Sequence, residues 1–134
     1  MAVSGWEFGA DLSELKKVGS VDLPSMSYTF ASLNSMVNGT EGSDKNAFDW
    51  VGVGSSQAYQ PWAELRDALQ NFLGKTAQNV EAAASAVDQI VATYAASDTG
   101  AATALNSAWA GGPPNLEPDE NPPPSTAPPA VVLK

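Results

Sequence analysis

The stretch from Gln57 to Asp98 has the most regular pattern of apolar and polar positions in the chain. Its seam positions recur at steps of three and four, with one extra step of four: Trp62, Leu65, Leu69, Phe72, Thr76, Val80, Ala83, Val87, Ile90 and Tyr94. This spacing is typical of a coiled-coil-like seam, because it keeps these side chains on one stripe of an α-helix. Polar residues occupy the other faces, so the pattern predicts one long amphipathic helix.

A shorter pattern of the same kind precedes the long helix. Asp22 and Pro24 suit a helix start, because aspartate caps free backbone amides and proline is tolerated in the first turn. Leucine, methionine, phenylalanine and valine then repeat at three and four, at Leu23, Met26, Phe30, Leu33 and Val37. This first helix is predicted to end near Gly39, and residues 40–56, which lack a sustained period, are predicted to connect two antiparallel helices.

The two ends of the chain differ from this central region. Residues 1–19 are predicted to be an N-terminal extension, in which Leu12 and Leu15 lie on one side of a short helix that ends before Gly19. From Gly111 the composition changes, since eight of the ten prolines lie in the last 24 residues. The predicted domains are therefore the extension, a helical hairpin over residues 20–110 and a disordered tail over residues 111–134.

The unequal helix lengths predict an interaction surface. The first helix covers only the first half of the long seam, which leaves Val80, Ala83, Val87 and Ile90 without a partner unless residues 11–18 fold back over them. Uncovered apolar stripes usually mark interaction surfaces. We therefore expect these four residues to bind a partner, a different chain more readily than a second copy.

Charge and composition exclude several classes of function. The chain has 15 acidic and six basic residues, a net charge of −9, which argues against nucleic acids and anionic lipids as partners. Its lack of cysteine and histidine removes thiol chemistry, the commonest general base and the commonest transition-metal ligand. No apolar run approaches the roughly 18 residues of a membrane-spanning helix, and the N-terminus lacks the features of a secretory signal peptide.

Candidate catalytic and metal-binding groups are equally sparse. Glu64 and Asp67 lie on a face of the long helix that is predicted to be solvated, so they do not form an acid and base pair. Asp44, Asn46 and Asp49 lack the spacing of a calcium loop and its closing glutamate. The sequence therefore predicts a protein that is not an enzyme and that has no metal site and no cofactor.

Two short motifs remain, one at each end of the long helix. Trp50-Val51-Gly52 lies in the connection between the helices, and Tyr94 is followed four residues later by Asp98. On a continuous helix, Tyr94 and Asp98 would share one face, with β-carbons about 5 to 6 Å apart. Taken without the rest of the chain, Trp50 is a hydrophobic plug at the hairpin end and Tyr94 is the last seam residue.

Together these motifs resemble the WXG family of small helical proteins that the type VII (ESX) secretion system of actinobacteria and related bacteria exports. The resemblance covers about residues 20–105 and is nearer to the secretion-associated relatives with a long alanine-rich second helix. It implies that Trp50 and Gly52 form the turn of the hairpin and that members pair into four-helix dimers. It also implies that Tyr94 and Asp98 form an export signal read by the motor ATPase of the system.

The expected fold is thus all-α: an antiparallel helical hairpin with one long C-terminal helix, a dimer of the four-helix-bundle type and a disordered proline-rich tail. The expected function is that of a non-enzymatic type VII secretion substrate or export partner that pairs with a WXG-like helical protein. Such a protein is made in the cytoplasm without a cleavable signal peptide and reaches the cell envelope or the medium. The alternative is an intracellular structural, chaperone or immunity-type interaction protein.

Overall fold

Helices make up most of the chain. The computed structural model describes residues 5–50, 54–112 and 127–134, with side chains over 11–49, 56–112 and 127–134. The helices are α1 (Gly5–Lys17), α2 (Leu23–Phe48), α3 (Tyr59–Ser97) and α4 (Thr99–Trp109). Two short strands, β1 (Asp49–Trp50) and β2 (Gly54–Ser55), pair antiparallel between α2 and α3. The predicted all-α class is confirmed.

The chain divides into two compact units. The first combines residues 1–26 with 80–125, and the second combines residues 27–79 with 126–134. Each unit has packing of its own, described separately below.

In the first unit, α1 continues towards α2 without a loop. A π-helical turn of five residues, Val18–Asp22, joins them, and the N–H of Leu23 donates to the carbonyl of Val18. Gly19 in this turn is buried, and a β-carbon there would lie 2.6 Å from Asp88 Oδ1 and 3.0 Å from Val87 Cγ1. The short N-terminal helix was predicted to end before Gly19, and α1 ends at Lys17; the glycine also lets the backbone approach α3 closely.

The core of the first unit joins α1, the end of α3 and α4. Its buried members are Leu12, Val91, Ala101 and Leu105, with Leu15, Ala95 and Trp109 packed against them. Trp109 Nε1 donates to Ser13 Oγ at 3.1 Å, and Lys16 Nζ lies 4.5 Å from the centre of the Trp109 ring. Residues 11–18 therefore pack on the end of α3 and on α4, at Val91 and Ala95 rather than at the four residues that the sequence pattern left uncovered.

In the second unit, α2 and α3 run antiparallel. Ser27 Oγ donates to the carbonyl of Ala77, and Asn34 Nδ2 donates to the carbonyl of Gln70, so later residues of α2 contact earlier residues of α3. The buried positions of this helix pair are mainly small or polar. They are Ser27, Ala31, Asn34 and Asp44 on α2, and Arg66, Gln70, Leu73, Gly74 and Ala77 on α3.

This buried stripe differs from the predicted seam. On α3 it lies one position after Leu65, Leu69, Phe72 and Thr76, so the predicted seam is rotated by about 100° from the buried one. The prediction was wrong here because it counted hydrophobic side chains. Ala31 and Ala77 instead let the helix backbones approach, and the buried polar side chains bond to backbone carbonyls of the partner helix or to one another.

The second difference is the length of α2. It was predicted to end near Gly39, but it continues to Phe48 through a polar segment that contains two glycines. The ion pair between Asp44 and Arg66 of α3 fixes this extension, so tertiary contacts override a weak helix propensity. Phe48 then packs near the rings of Tyr59 and Trp62, each at a centroid distance of 6.0 Å.

The third difference concerns the tail. Residues 127–134 form an extended segment that contacts α2 and α3, whereas the sequence predicted disorder from residue 111 to the end. The prediction rested on proline density, which excludes regular secondary structure but does not prevent an extended chain from bonding to side chains. Residues 113–126 lie outside the described part of the chain.

Candidate functional site

The Tyr94 and Asp98 motif lies at the junction of α3 and α4. The side chain of Tyr94 is 51% exposed on α3, but this helix ends at Ser97. Asp98 has extended backbone angles, φ −134° and ψ 108°, and its carboxylate accepts a hydrogen bond from the N–H of Ala101 at 3.0 Å. Aspartate is among the best helix N-caps. The prediction that Tyr94 and Asp98 share one helical face is therefore wrong, because capping α4 ends the long helix first.

The exposed ring of Tyr94 borders a surface depression. Other residues of α3 line it, namely Ala86, Gln89, Ile90 and Thr93. Their spacing of three and four residues places them on one side of the helix. The face around Tyr94 thus offers an aromatic ring, an aliphatic side chain and amide and hydroxyl groups to a binding protein.

The four residues predicted to bind a partner do not have equal exposure. Val80 and Val87 are half-buried, whereas Ala83 and Ile90 are exposed. Val87 lies against Gly19 of the π-helical turn. The first unit therefore covers part of this predicted surface with its own chain, and Ile90 is its most prominent exposed member.

The predicted hairpin turn lies at the edge of the described residues. Trp50 belongs to β1, where its backbone pairs with that of Gly54. Its side chain and Gly52 lie outside what the structure describes. The turn role of Trp50 and Gly52 stays a prediction.

The second unit exposes a large apolar surface, which we call the apolar face: Leu33, Leu65, Leu69 and Phe72. The exposed fractions are 41% for Leu33, 64% for Leu65, 46% for Leu69 and 63% for Phe72. Each of these residues immediately precedes a buried one. Because a helix turns by about 100° per residue and α2 runs antiparallel to α3, the positions before the buried ones lie on the same side of both helices. The four side chains thus form one face.

The C-terminal segment lies on the opposite side of the pair. Asn71 of α3 bonds to Lys134 through two hydrogen bonds. Asn71 follows the buried Gln70, whereas Leu69 precedes it, so the two side chains point about 200° apart around the helix. The segment and the apolar face therefore occupy different sides of α3.

An ion pair lies between the two helices. Arg66 Nη1 donates to Asp44 Oδ2 at 2.7 Å, and Arg66 Nη2 donates to Asp67 Oδ1 at 2.8 Å. Burial raises the pKa of the Asp44 carboxyl, but hydrogen bonds from Arg66 and Trp62 and the charge of Arg66 outweigh this, so the pKa is lowered. The hydrogen bonds from Arg66 to Asp67 and Asp44 raise the pKa of the guanidinium. Both groups stay charged at neutral pH.

Two buried amides between the helices were not predicted from the sequence. Asn34 and Gln70 are fully buried, and Gln70 Nε2 donates to Asn38 Oδ1 at 3.0 Å. Gln70 Oε1 has no hydrogen-bond partner among the described residues. The available signal was their spacing, since Asn34 follows Ala31 by three positions and Gln70 follows Arg66 by four.

Comparisons with protein-family models, curated proteins and solved structures found no match for this chain. In the described part of the chain, no helix is both long and apolar enough to span a membrane.

Proposed function

We propose that this chain is a non-enzymatic substrate or export partner of a type VII secretion system and that it acts by pairing with another helical protein. The observation that supports pairing is the apolar face. Leu65 and Phe72 are each more than 60% exposed, although α3, which carries both, already packs against α2 through other residues. Soluble proteins seldom leave such a contiguous apolar surface open unless it binds something.

A second helical hairpin is the partner that fits this face. Complete burial of a leucine or phenylalanine side chain contributes about 1.5 to 3 kcal/mol, so covering the exposed parts of four such residues would contribute several kcal/mol. Two hairpins packed through such faces form a four-helix bundle, with α2 and α3 supplying one hairpin. In the first unit, Val80, Ala83, Val87 and Ile90 are proposed separately as partner-binding residues, with the exposed Ile90 contributing most.

A different chain suits this face better than a second copy. The chain carries a net charge of −9, so two copies would repel each other. A less acidic helical protein of the WXG type would avoid this repulsion. A hetero-dimer is therefore proposed.

Tyr94 and Asp98 are proposed as the export signal read by the motor ATPase. The exposure of the Tyr94 ring supports this role, and the depression beside it gives a receptor a defined surface. Asp98 complicates recognition, because its carboxylate is bonded to the N–H of Ala101. A receptor must either bind the free side of the carboxylate or compete with the first turn of α4.

The test of export is the location of the protein. In the bacterium that makes it, we expect the full chain in the culture medium or cell envelope, and we expect it to accumulate inside the cell when the gene for the motor ATPase is deleted. A general lysis marker is the control. An unchanged distribution in the deletion strain would contradict the proposal.

An intracellular interaction protein, such as a structural, chaperone or immunity-type protein, is the second candidate. The helix cap formed by Asp98 favours it, because the cap explains the aspartate without any signal. Both candidates use the apolar face to bind a partner. Only the first requires the protein to leave the cytoplasm.

A further inference from the structure

Two asparagine side chains, one from each helix of the second unit, bind the backbone of the C-terminal segment. Asn34 Nδ2 donates to the carbonyl of Val132 at 2.9 Å, and the N–H of Val132 donates to Asn34 Oδ1 at 2.9 Å. Asn71 Nδ2 donates to the carbonyl of Lys134 at 2.9 Å, and the N–H of Lys134 donates to Asn71 Oδ1 at 2.8 Å. Each amide thus supplies a donor and an acceptor to one residue, as a neighbouring strand would.

The groove around the segment is shaped for alternating side chains. A β-carbon at Gly74 would lie 2.6 Å from Val131 Cγ1 and 2.7 Å from Leu133 Cδ2. Gly74 therefore leaves the space that these two apolar side chains enter. Gly74 lies inside α3, and the C-terminal segment occupies the space that its missing side chain leaves.

The end of the segment is held by charge. Lys134 Nζ bonds to Glu41 of α2, and Glu41 also lies 4.0 Å from Arg66. The groove is therefore complementary to three properties of its occupant: an extended backbone, apolar side chains at alternate positions and a cation beside the second of these side chains.

We propose that this groove, formed by Asn34, Glu41, Asn71 and Gly74, is a binding site for an extended peptide from another chain. Residues 127–134 occupy the groove in the structure and would compete with that peptide. The proposed ligand is an extended segment with two aliphatic residues at alternate positions and a lysine directly after the second. Four of the hydrogen bonds go to the backbone, so the site tolerates varied residues between the aliphatic ones. The proposal does not depend on export.

The geometry of Asn34 supports a site built for this purpose. Its side chain is fully buried. The side-chain amide donates to the carbonyls of Gln70 and Val132 and accepts from the N–H of Val132. A buried amide without partners is costly, so an empty groove would destabilise the second unit. A bound segment is therefore favoured, and a peptide from another chain with the same backbone geometry can replace the tail.

The experiment uses the full chain with its own segment displaced. Val132→Pro removes the N–H that Asn34 accepts, and Leu133→Asp places a charge beside Gly74; both variants are checked for helix content by circular dichroism. The probe is a fluorescent peptide with the sequence of residues 127–134, and binding is followed by anisotropy. We expect both variants to bind it at least tenfold more tightly than the unaltered chain, in which the tethered segment competes.

The matched control changes the peptide and leaves the protein folded. A peptide N-methylated at the residue that corresponds to Val132 lacks the same N–H but keeps every side chain. We expect it to lose at least tenfold in affinity for both variants. If neither variant binds the unmodified peptide, or if the methylated peptide binds equally well, the groove is an internal packing site and the proposal is wrong.

Discussion

At the residue scale, Asp98 has two candidate roles, one in an export signal and one as a helix cap. Sequence spacing pairs it with Tyr94 as a signal, whereas the structure makes it the N-cap of α4. The cap could have been predicted, because aspartate precedes a threonine, a glycine and an alanine-rich stretch that begins a new helix. The continuous seam up to Tyr94 hid this boundary, since the pattern has no break before it.

Substitutions at Asp98 separate the two roles. Asparagine caps helices about as well as aspartate, so Asp98→Asn should leave the thermal midpoint within experimental error, while Asp98→Ala should cost about 1 kcal/mol. If the charge of Asp98 is part of a signal, both Asp98 variants should lose export. Tyr94→Ala should also lose export while it stays folded. Immunoblots of cells and medium measure this. Normal export of folded Asp98→Asn and Tyr94→Ala would show that Asp98 serves only as the cap of α4.

Asp44 predicts a pH dependence of stability. Its pKa in the folded chain lies below the ordinary value of 3.8, so its contribution to stability is present above that value and is lost as the pH falls through the folded-state pKa. We expect Asp44→Asn to lower the free energy of unfolding at neutral pH. The gap between wild type and variant should be constant above about pH 5 and shrink below about pH 4.

Urea titrations at several pH values measure this gap. The control is Glu64→Gln at an exposed position of α3, which should change stability by less than about 0.5 kcal/mol. A gap for Asp44→Asn that stays constant down to pH 2 would contradict the assigned role of the ion pair with Arg66.

At the element scale, the sequence predicted the helices better than their faces. The period of three and four identified α3 to within two residues at its start and one at its end. It could not identify the buried stripe, because stripes one position apart share that period, and the buried one at Arg66, Gln70, Leu73 and Ala77 is the less hydrophobic. The hydrogen bonds that make buried amides tolerable are properties of the folded pair and are invisible along the chain.

Substitutions of two glycines in the first half of the chain test the packing of these helices. Gly19→Ala would place a β-carbon 3.0 Å from Val87 Cγ1, so we expect a loss of about 1 to 3 kcal/mol by overpacking. Gly39→Ala has no atom within 4 Å of the new β-carbon, and we expect a gain of about 0.5 to 1 kcal/mol from helix propensity. Thermal unfolding of the two variants should give shifts of opposite sign. Stabilisation by both would show that the π-helical turn does not lie against α3.

The C-terminal segment is the element for which sequence and structure differ most. Removal of residues 127–134 leaves the buried amide of Asn34 without its bonds to Val132, and we expect a loss of about 1 to 3 kcal/mol. A small domain should then unfold several degrees lower in calorimetry. An unchanged midpoint would support the disordered tail that the proline content predicted.

At the scale of the whole molecule, the account depends on what covers the apolar face. The composition indicated a binding protein without cysteine or histidine chemistry, and the length mismatch indicated an uncovered surface. In the second unit the structure leaves Leu33, Leu65, Leu69 and Phe72 exposed, because α2 and α3 pack through the positions that follow them. Pairing remains the proposed purpose, but its centre lies nearer the middle of the chain than predicted.

Sedimentation velocity tests this central claim most directly. The purified chain is mixed with each small helical protein encoded beside it, and Phe72→Asp is compared with the matched control Asn79→Asp, an exposed position on the same helix. We predict one partner that forms a 1:1 complex with the wild type and the control, and at least a tenfold loss of affinity with Phe72→Asp while its circular dichroism is unchanged. A wild-type chain that stays monomeric with every candidate, or a complex that Phe72→Asp leaves intact, would contradict the account.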